Sequence, residues 1–484
     1  MNEQEFDVLI VGAGISGVGM ACHLSDKMPG KKVAILERRA RMGGTWDLFK
    51  YPGIRSDSDM FTFGYKFRPW TETKTLADGE SIRQYLVDTA EEYNVNDHVH
   101  YNQKVLKCSW SSDSKRWTVT TLNEDSNEEQ TRVCKFLVLA SGYYNYDKGF
   151  TPEFEGIDDF KGQVIHPQQW PEDLDYAGKK VVVIGSGATA ITLVPTLAGT
   201  AEHVTMLQRS PTYIASMPAR DGLLENLKKW LPEKWVWRIA RWKNVRLQRY
   251  SYLLSMRYPS FMRKVILGGV EKWTKGAADM RHFTPSYNPW DERLCVVPDG
   301  DLFKALHKGT ASIVTDHIET FTETGIKLKS GESLEADLVV TATGLNLQML
   351  GGVDIEIDGV TRQPREVMSY KAVLIQDAPN LAAIFGYTNA SWTLKVDVAA
   401  AFVCRLLKYM DDKGYEVAVP RDFEDSAVAD KSAMDSLKSG YVKRGGDNLP
   451  RQGNKYPWKV LNHYQRDMKI LEKKPIEDGI LELS

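Results

Sequence analysis

The sequence predicts an α/β fold with two nucleotide-binding units and a helical insertion, on three observations. The apolar run Phe6–Val11 passes directly into Gly12-Ala13-Gly14-Ile15-Ser16-Gly17 and a helical pattern. The run Lys180–Ile184 repeats that order with Gly185-Ser186-Gly187-Ala188-Thr189-Ala190. Between 221 and 275 the chain changes character and becomes basic and rich in tryptophan. Strand, glycine turn and helix in sequence form the fingerprint of a dinucleotide site. Two copies give the class: two Rossmann-like dinucleotide-binding domains with a helical insertion.

At 484 residues the chain has room for roughly three ordinary domains, or two with insertions. It is 42% hydrophobic and 26% charged, with a net charge of −2, which argues against a general nucleic-acid binder. Five widely spaced cysteines without a CxxC pair suggest neither a zinc site nor a dithiol centre, and a reducing, cytoplasmic compartment fits them. No metal is expected: His98 and His100 alternate along a strand with no third ligand nearby. The apolar start is not read as a signal sequence, because its leader MNEQEFD is acidic and three glycines break the run. No apolar stretch is long enough to span a bilayer.

In the first unit, Gly12 permits the tight turn and Gly14 lets backbone approach a pyrophosphate. Gly17 allows helix to pack closely on strand, and the helix N-terminus offers free N–H groups. The next strand, Lys32–Leu36, ends in Glu37, 20 positions beyond Gly17. A carboxylate there accepts from a ribose diol and repels a 2′-phosphate, so this site favours FAD or NAD over NADP. Gly43-Gly44-Thr45-Trp46 follows, a permissive turn of the kind that brings backbone near a flavin cofactor. Asp57, in the polar loop after Tyr51-Pro52-Gly53, is either a solvated carboxylate or an active-site anion. An amphipathic helix is expected over Ser81–Tyr93 and alternating strands over Val99–Thr121, with Val105 placed to lie beside an adenine. The buried run Phe136–Ala140 closes in Ser141-Gly142.

In the second unit the strand His203–Leu207 leads into Gln208-Arg209-Ser210 where an acid would sit in an NAD site. Arg209 suits a 2′-phosphate dianion and Ser210 can donate to it, which selects NADPH. An acid-terminated first site and an arginine-terminated second site together suggest FAD plus NADPH. The strand Asp337–Thr341 ends in a second small-residue turn at Gly344. The expected division is 1–145 with 345–484 for FAD, and 146–344 for NADPH, the latter holding an insertion at 215–285.

Within 221–275 there are 13 Lys or Arg against 4 Asp or Glu. Trp235, Ile239 and Trp242 share a helical face beside Lys234, Arg238 and Arg241. Two readings stay open: contact with an anionic membrane surface, or an insertion whose aromatics pack and shape a substrate cavity. Further on, Arg293 stands in the proline-broken stretch Tyr287–Asp299, either as a surface charge or facing a flavin. A polar, aromatic loop over Gly386–Asp397 leads into a helix expected over Val398–Tyr409.

The linker between the two units, Phe160-x-Gly162-x-x-x-His166-x-x-x-Trp170-Pro171, is similar to the signature of Baeyer–Villiger monooxygenases. Gly43-Gly44-x-Trp46-x-x-x-x-Tyr51-Pro52-Gly53-x-x-x-Asp57 resembles the second signature of that family. The stretches SGYYNYD, YNPWDERLC and GYTNASWTLK are similar to the bacterial branch that activates thioamide prodrugs. The resemblance covers essentially the whole chain. It implies an enzyme using FAD, NADPH and O₂ that inserts one oxygen atom beside a ketone carbonyl through a flavin C4a-peroxide, giving an ester or lactone. Sulfoxidation is an expected side activity, and the aromatic content suggests a hydrophobic ketone or sulfide. Arg293 matches the catalytic arginine of the family and Asp57 the carboxylate that orients it. His166 and Trp170, with Phe160 and Gly162, are expected to act as a hinge. One position departs from the pattern: Glu292 stands where many relatives carry a lysine that helps hold the 2′-phosphate, so NADPH preference rests on Arg209 and Ser210.

Three alternatives remain. An N- or S-oxygenating flavin monooxygenase shares the layout and needs no Arg293. A flavin disulfide reductase lacks support without a CxxC pair. A membrane-surface binding protein would be organised around 221–275.

Overall fold

A computed structural model describes residues 4–292, 294–423 and 427–484. Its first sheet is centred on Gln4–Val11, parallel to Val33–Leu36 on one side and to Glu128–Leu139 on the other. Val8, Leu9 and Ile10 are fully buried. A strand covered on both faces needs apolar residues at every position, which is why the run does not alternate. Gln103–Ser111, Arg116–Asn123 and Glu128–Leu139 form an antiparallel meander on this sheet. The helix Ile15–Lys27 starts directly from the glycine turn and buries Val18, Met20 and Leu24. It packs against the long helix Trp392–Lys413, which begins six residues before the expected Val398. The Gly79–Glu92 helix is capped by Asp78, whose carboxylate accepts from the Ser81 N–H.

The second sheet is wholly parallel, in the order Ala311–Thr315, His203–Gln208, Lys180–Ile184, Leu338–Thr341, Gln163–Ile165. Mixed α/β structure with parallel sheets behind both glycine turns is the expected class. The chain leaves the first sheet after Leu139 and returns after Thr341. The two crossing segments run side by side: Tyr144 bridges Leu347, the Asn145 N–H donates to Asn346 O at 2.8 Å, and the Phe150 N–H donates to Gly344 O at 3.0 Å.

The linker 160–171 has no helical or strand period in its sequence, yet it is ordered. Gln163–Ile165 forms an edge strand, and Pro167–Gln169 a 3₁₀ turn capped by His166. Pairing with Leu338–Val340 supplies what local propensity lacks.

Within 221–275 lie helices Gly222–Leu227, Glu233–Arg257 and Pro259–Thr274. Val236, Trp237 and Ala240 enter the core of the first unit, whereas Val270 enters that of the second. No helix among the described residues is long and apolar enough to cross a membrane.

Candidate active site between two glycine turns

One cavity of about 810 Å³ is lined by both glycine turns. From the first unit come Gly14, Ser16, Gly43, Gly44, Thr45, Trp46 and Asp57. From the second come Gly185, Ser186, Gly187, Thr189, Arg209 and Ser210. Both helices that start here have a glycine N-cap with no side-chain cap, at Gly14 and Gly187. Their first N–H groups therefore lack an internal acceptor and suit a phosphate. Gly44 adopts φ +56°, and a Cβ on it would lie 2.9 Å from the Cα of Gly14, so the Gly43-Gly44 turn meets the first glycine turn as bare backbone. At Gly187 a Cβ would meet nothing within 4 Å, leaving open space beside that helix start. Among the described residues, Arg55 Nη2 and Ser141 Oγ are buried without a hydrogen-bond partner, Arg55 in the cavity wall and Ser141 between the wall residues Ala140 and Gly142. Uncapped helix starts, open cradles and orphaned donors fit two dinucleotides.

Glu37 is buried at the end of its strand. Its carboxylate accepts from the Ala13 N–H at 2.6 Å and the Arg39 N–H at 2.9 Å, while burial pushes its pKa up. Thr45 Oγ1 lies 2.6 Å from the Tyr144 hydroxyl, and Trp46 packs edge-on to Phe63. Ser186 Oγ donates to Ser210 O at 3.1 Å, fixing the second turn to the end of its sheet. Arg209 and Ser210 are exposed at the rim. Gly12, Gly17 and Ala190 serve packing behind the turns rather than the wall, and Val105 sits half-buried beside the meander core. Gln208 points away: it is buried, and its amide donates to His282 O at 2.8 Å and to Thr315 Oγ1 at 2.9 Å.

The two signature stretches join the units. Tyr51 lies in the core of the second unit, and its side chain reaches the Thr189 hydroxyl. Gly53, at φ +78°, lies so near the Ala188–Leu197 helix that a Cβ would be 2.2 Å from Thr196 Oγ1. Asp57 is exposed in the cavity wall. Arg293 lies outside the described residues; Glu292 and Cys295 on either side of it line the cavity. Phe160 and Trp170 are buried, and Gly162 gives close passage past the Phe160 ring. His166 Nδ1 accepts from the Gln168 N–H at 3.1 Å, so its proton sits on Nε2 and is donated to Gly344 O, also at 3.1 Å. The Gln168 amide donates to Asn145 O at 2.7 Å. The linker thus grips both chain crossings without lining the cavity.

Several wall residues were not picked out as site residues. Tyr143, Tyr144, Tyr146 and Trp392 form an aromatic flank; Trp392 stacks on Tyr143 and donates to Ser16 Oγ at 2.8 Å. Arg444 enters from the Gly440–Gly445 helix, stacked 3.6 Å over the Phe150 ring, with its pKa lowered by burial and by Arg209. Glu292 is held up by burial against the opposing pull of Lys443 and Arg209. The expectation that the 221–275 aromatics shape the cavity is corrected: no residue of that stretch lines it, and only Trp237 among those tryptophans is buried.

The family model for flavin-binding monooxygenase-like proteins matches residues 5–412, and the chain belongs to that family. It is 58% identical over 482 residues to the putative FAD-containing monooxygenase MymA of Mycobacterium tuberculosis, covering 99% of this chain and 97% of that one. It is 52% identical over 478 residues to the FAD-containing monooxygenase EthA of the same organism, covering 98% and 97%. In fold it resembles cyclohexanone monooxygenase bound to ε-caprolactone, with TM-score 0.77 at 20% identity over 99% of this chain and 100% of that one. An oxidized steroid monooxygenase bound to NADP gives TM-score 0.75 at 21% identity over 99% of each chain. The flavin monooxygenase class expected from the two signatures is the class shown.

Proposed function

We propose that this flavin monooxygenase binds FAD at the first glycine turn and NADPH at the second, and carries out Baeyer–Villiger oxidation of a hydrophobic ketone. One oxygen atom from O₂ enters beside the carbonyl to give an ester or lactone, with sulfides as secondary substrates. The observation that carries this reading is the single cavity shared by the two turns, with Asp57 and the residues flanking Arg293 in its wall. When bound, the flavin supplies two-electron chemistry and the activation of O₂. The names of relatives and the ligands of the fold neighbours point the same way. A cytoplasmic location goes with this reading.

The residues divide the work by their chemistry. The helix starts at Gly14 and Gly187 hold diphosphates, and Glu37 accepts from a ribose diol. Arg209 and Ser210 hold the 2′-phosphate, with Arg444 as a second cation. The guanidinium of Arg293, oriented by Asp57, keeps the attacking oxygen anionic and stabilises charge developing on the carbonyl oxygen. Tyr143, Tyr144, Tyr146 and Trp392 limit water at the reacting end.

Arg293→Ala is the direct test. Product analysis on a ketone and sulfide panel with NADPH and O₂ is expected to show ester formation abolished, while NADPH oxidation persists with H₂O₂ as its product. Ketone oxidation retained in that variant refutes the role of Arg293 and favours an N- or S-oxygenating enzyme.

A further inference from the structure

The outer face of the 221–275 helices has no role in the site just described. Of the 16 large apolar side chains left exposed among the described residues, 14 lie between Leu223 and Trp273. Trp230 is 85% exposed, Trp235 55% and Trp242 60%, against the ordinary tendency of tryptophan to be largely buried. Exposed apolar area this concentrated marks an interaction surface.

The Glu233–Arg257 helix is fixed from its inner side. Arg241 donates to Phe61 O at 3.0 Å and Gly64 O at 2.8 Å and pairs with Asp397 at 3.3 Å. Asn244 and Gln248 each donate to the Asp59 carboxylate at 2.8 Å. The opposite face is therefore held outward. Along it Trp235, Arg238, Trp242 and Arg246 recur at helical spacing, with Arg238 5.1 Å over the Trp235 ring and Arg246 4.0 Å over that of Trp242. Leu247, Tyr250, Leu254, Met256, Tyr258 and Phe261 continue the exposed apolar surface around the turn into Pro259–Thr274.

The charge decides the partner. The Glu233–Arg257 helix carries seven Lys or Arg and one Glu. Lys234, Arg238, Arg246, Arg249 and Arg257 make no ion pair among the described residues. A second copy of the chain, docked through the same face, would set this positive helix against itself, because a two-fold interface brings like patches together. An anionic lipid surface is complementary, and tryptophan with arginine at helical spacing is the composition of a helix lying in a membrane interface. We propose that this face binds the surface of an anionic bilayer, with Trp230, Trp235 and Trp242 seated at headgroup depth and the unpaired arginines on the phosphates. The inference stands apart from the proposed reaction, since none of these residues lines the cavity.

The test is flotation of the full flavin-loaded protein with vesicles of phosphatidylcholine alone, or with about a third phosphatidylglycerol. Binding to the anionic vesicles only, reversed by salt, is expected. Arg238→Gln with Arg246→Gln should weaken it about 25-fold, a factor of about five per cation. Trp235→Ser with Trp242→Ser should weaken it and reduce the blue shift of tryptophan emission, with the melting temperature of both variants unchanged. Absence of flotation with anionic vesicles overturns the proposal, as does equal binding by wild type and both double variants. Concentration-dependent self-association abolished by the tryptophan substitutions would assign the face to a second copy instead.

Discussion

His166→Ala is the substitution that best separates a hinge from an ordinary loop. The imidazole makes two hydrogen bonds, one at each ring nitrogen, to Gly344 O and from the Gln168 N–H. Removing it loses both hydrogen bonds, at about 0.5–1.5 kcal/mol each, or about 1–3 kcal/mol together. At roughly 2–4 °C per kcal/mol for a unit of this size, the melting temperature falls on the order of 5 °C. Gly344 O retains the Phe150 N–H, so the crossings loosen without parting. The functional readout is coupling, the fraction of NADPH oxidation that yields oxygenated product against the fraction that yields H₂O₂, followed by scanning fluorimetry and product analysis. We expect flavin content to stay constant while coupling falls several-fold, and His166→Gln, which can still donate to Gly344 O, to restore part of both. A lower melting temperature with unchanged coupling refutes the hinge role and leaves a structural loop.

The same residue sets a pH dependence. Burial favours the neutral ring and lowers the pKa of His166 below the usual histidine value of about 6.5. The unfolded chain then takes up a proton first as pH falls, so stability is retained above about pH 6.5 and lost progressively below it. His100, His282 and His463 shift in the same direction, each mainly through burial. Melting temperature should fall from about pH 7.5 to 5.5, with a shallower slope in His166→Gln; equal slopes refute the contribution of this ring. Arg209→Ala should lower kcat/KM for NADPH by about tenfold or more while leaving that for NADH nearly constant, in line with about 1.5–3 kcal/mol for a charged hydrogen bond. Arg444→Ala should do the same more weakly, and steady-state kinetics with both cofactors would expose an equal loss for NADH as a packing effect. Gly17→Ala places a Cβ 1.8 Å from Gly12 O, a backbone atom that cannot yield, so the purified variant should lack bound flavin. Flavin absorbance at wild-type stoichiometry would refute that account.

The legible parts of this protein were those written in consecutive residues. Phe6–Gly17 and Lys180–Ala190 spell strand, turn and helix locally, and the structure places both turns on one cavity. Arg209 was legible because it follows its own strand. Arg444 was not: it comes within Coulombic reach of Arg209 although 235 positions separate them, and an arginine in a polar tail has no local mark of its destination. Trp392 was equally hidden, meeting Ser16 across 376 positions. Gly53 was legible only as a member of the second signature, whereas its distinctive constraint is the close passage of Thr196 from the other unit. The direction faced by the 221–275 tryptophans depended on which side of their helix found Asp59 and Asp397, and those partners lie far away in sequence.

The side-by-side crossings have a mechanical consequence. Two chain segments joined by hydrogen bonds at Tyr144–Leu347 and Asn145–Asn346 form a ribbon, and a ribbon resists stretching and sideways slip far more than twisting. Twisting about the long axis of that ribbon is the deformation these two crossings resist least. The linker His166–Gln168 clasps the ribbon and the Arg444–Phe150 stack adds a second contact to it, so both add resistance to that twist.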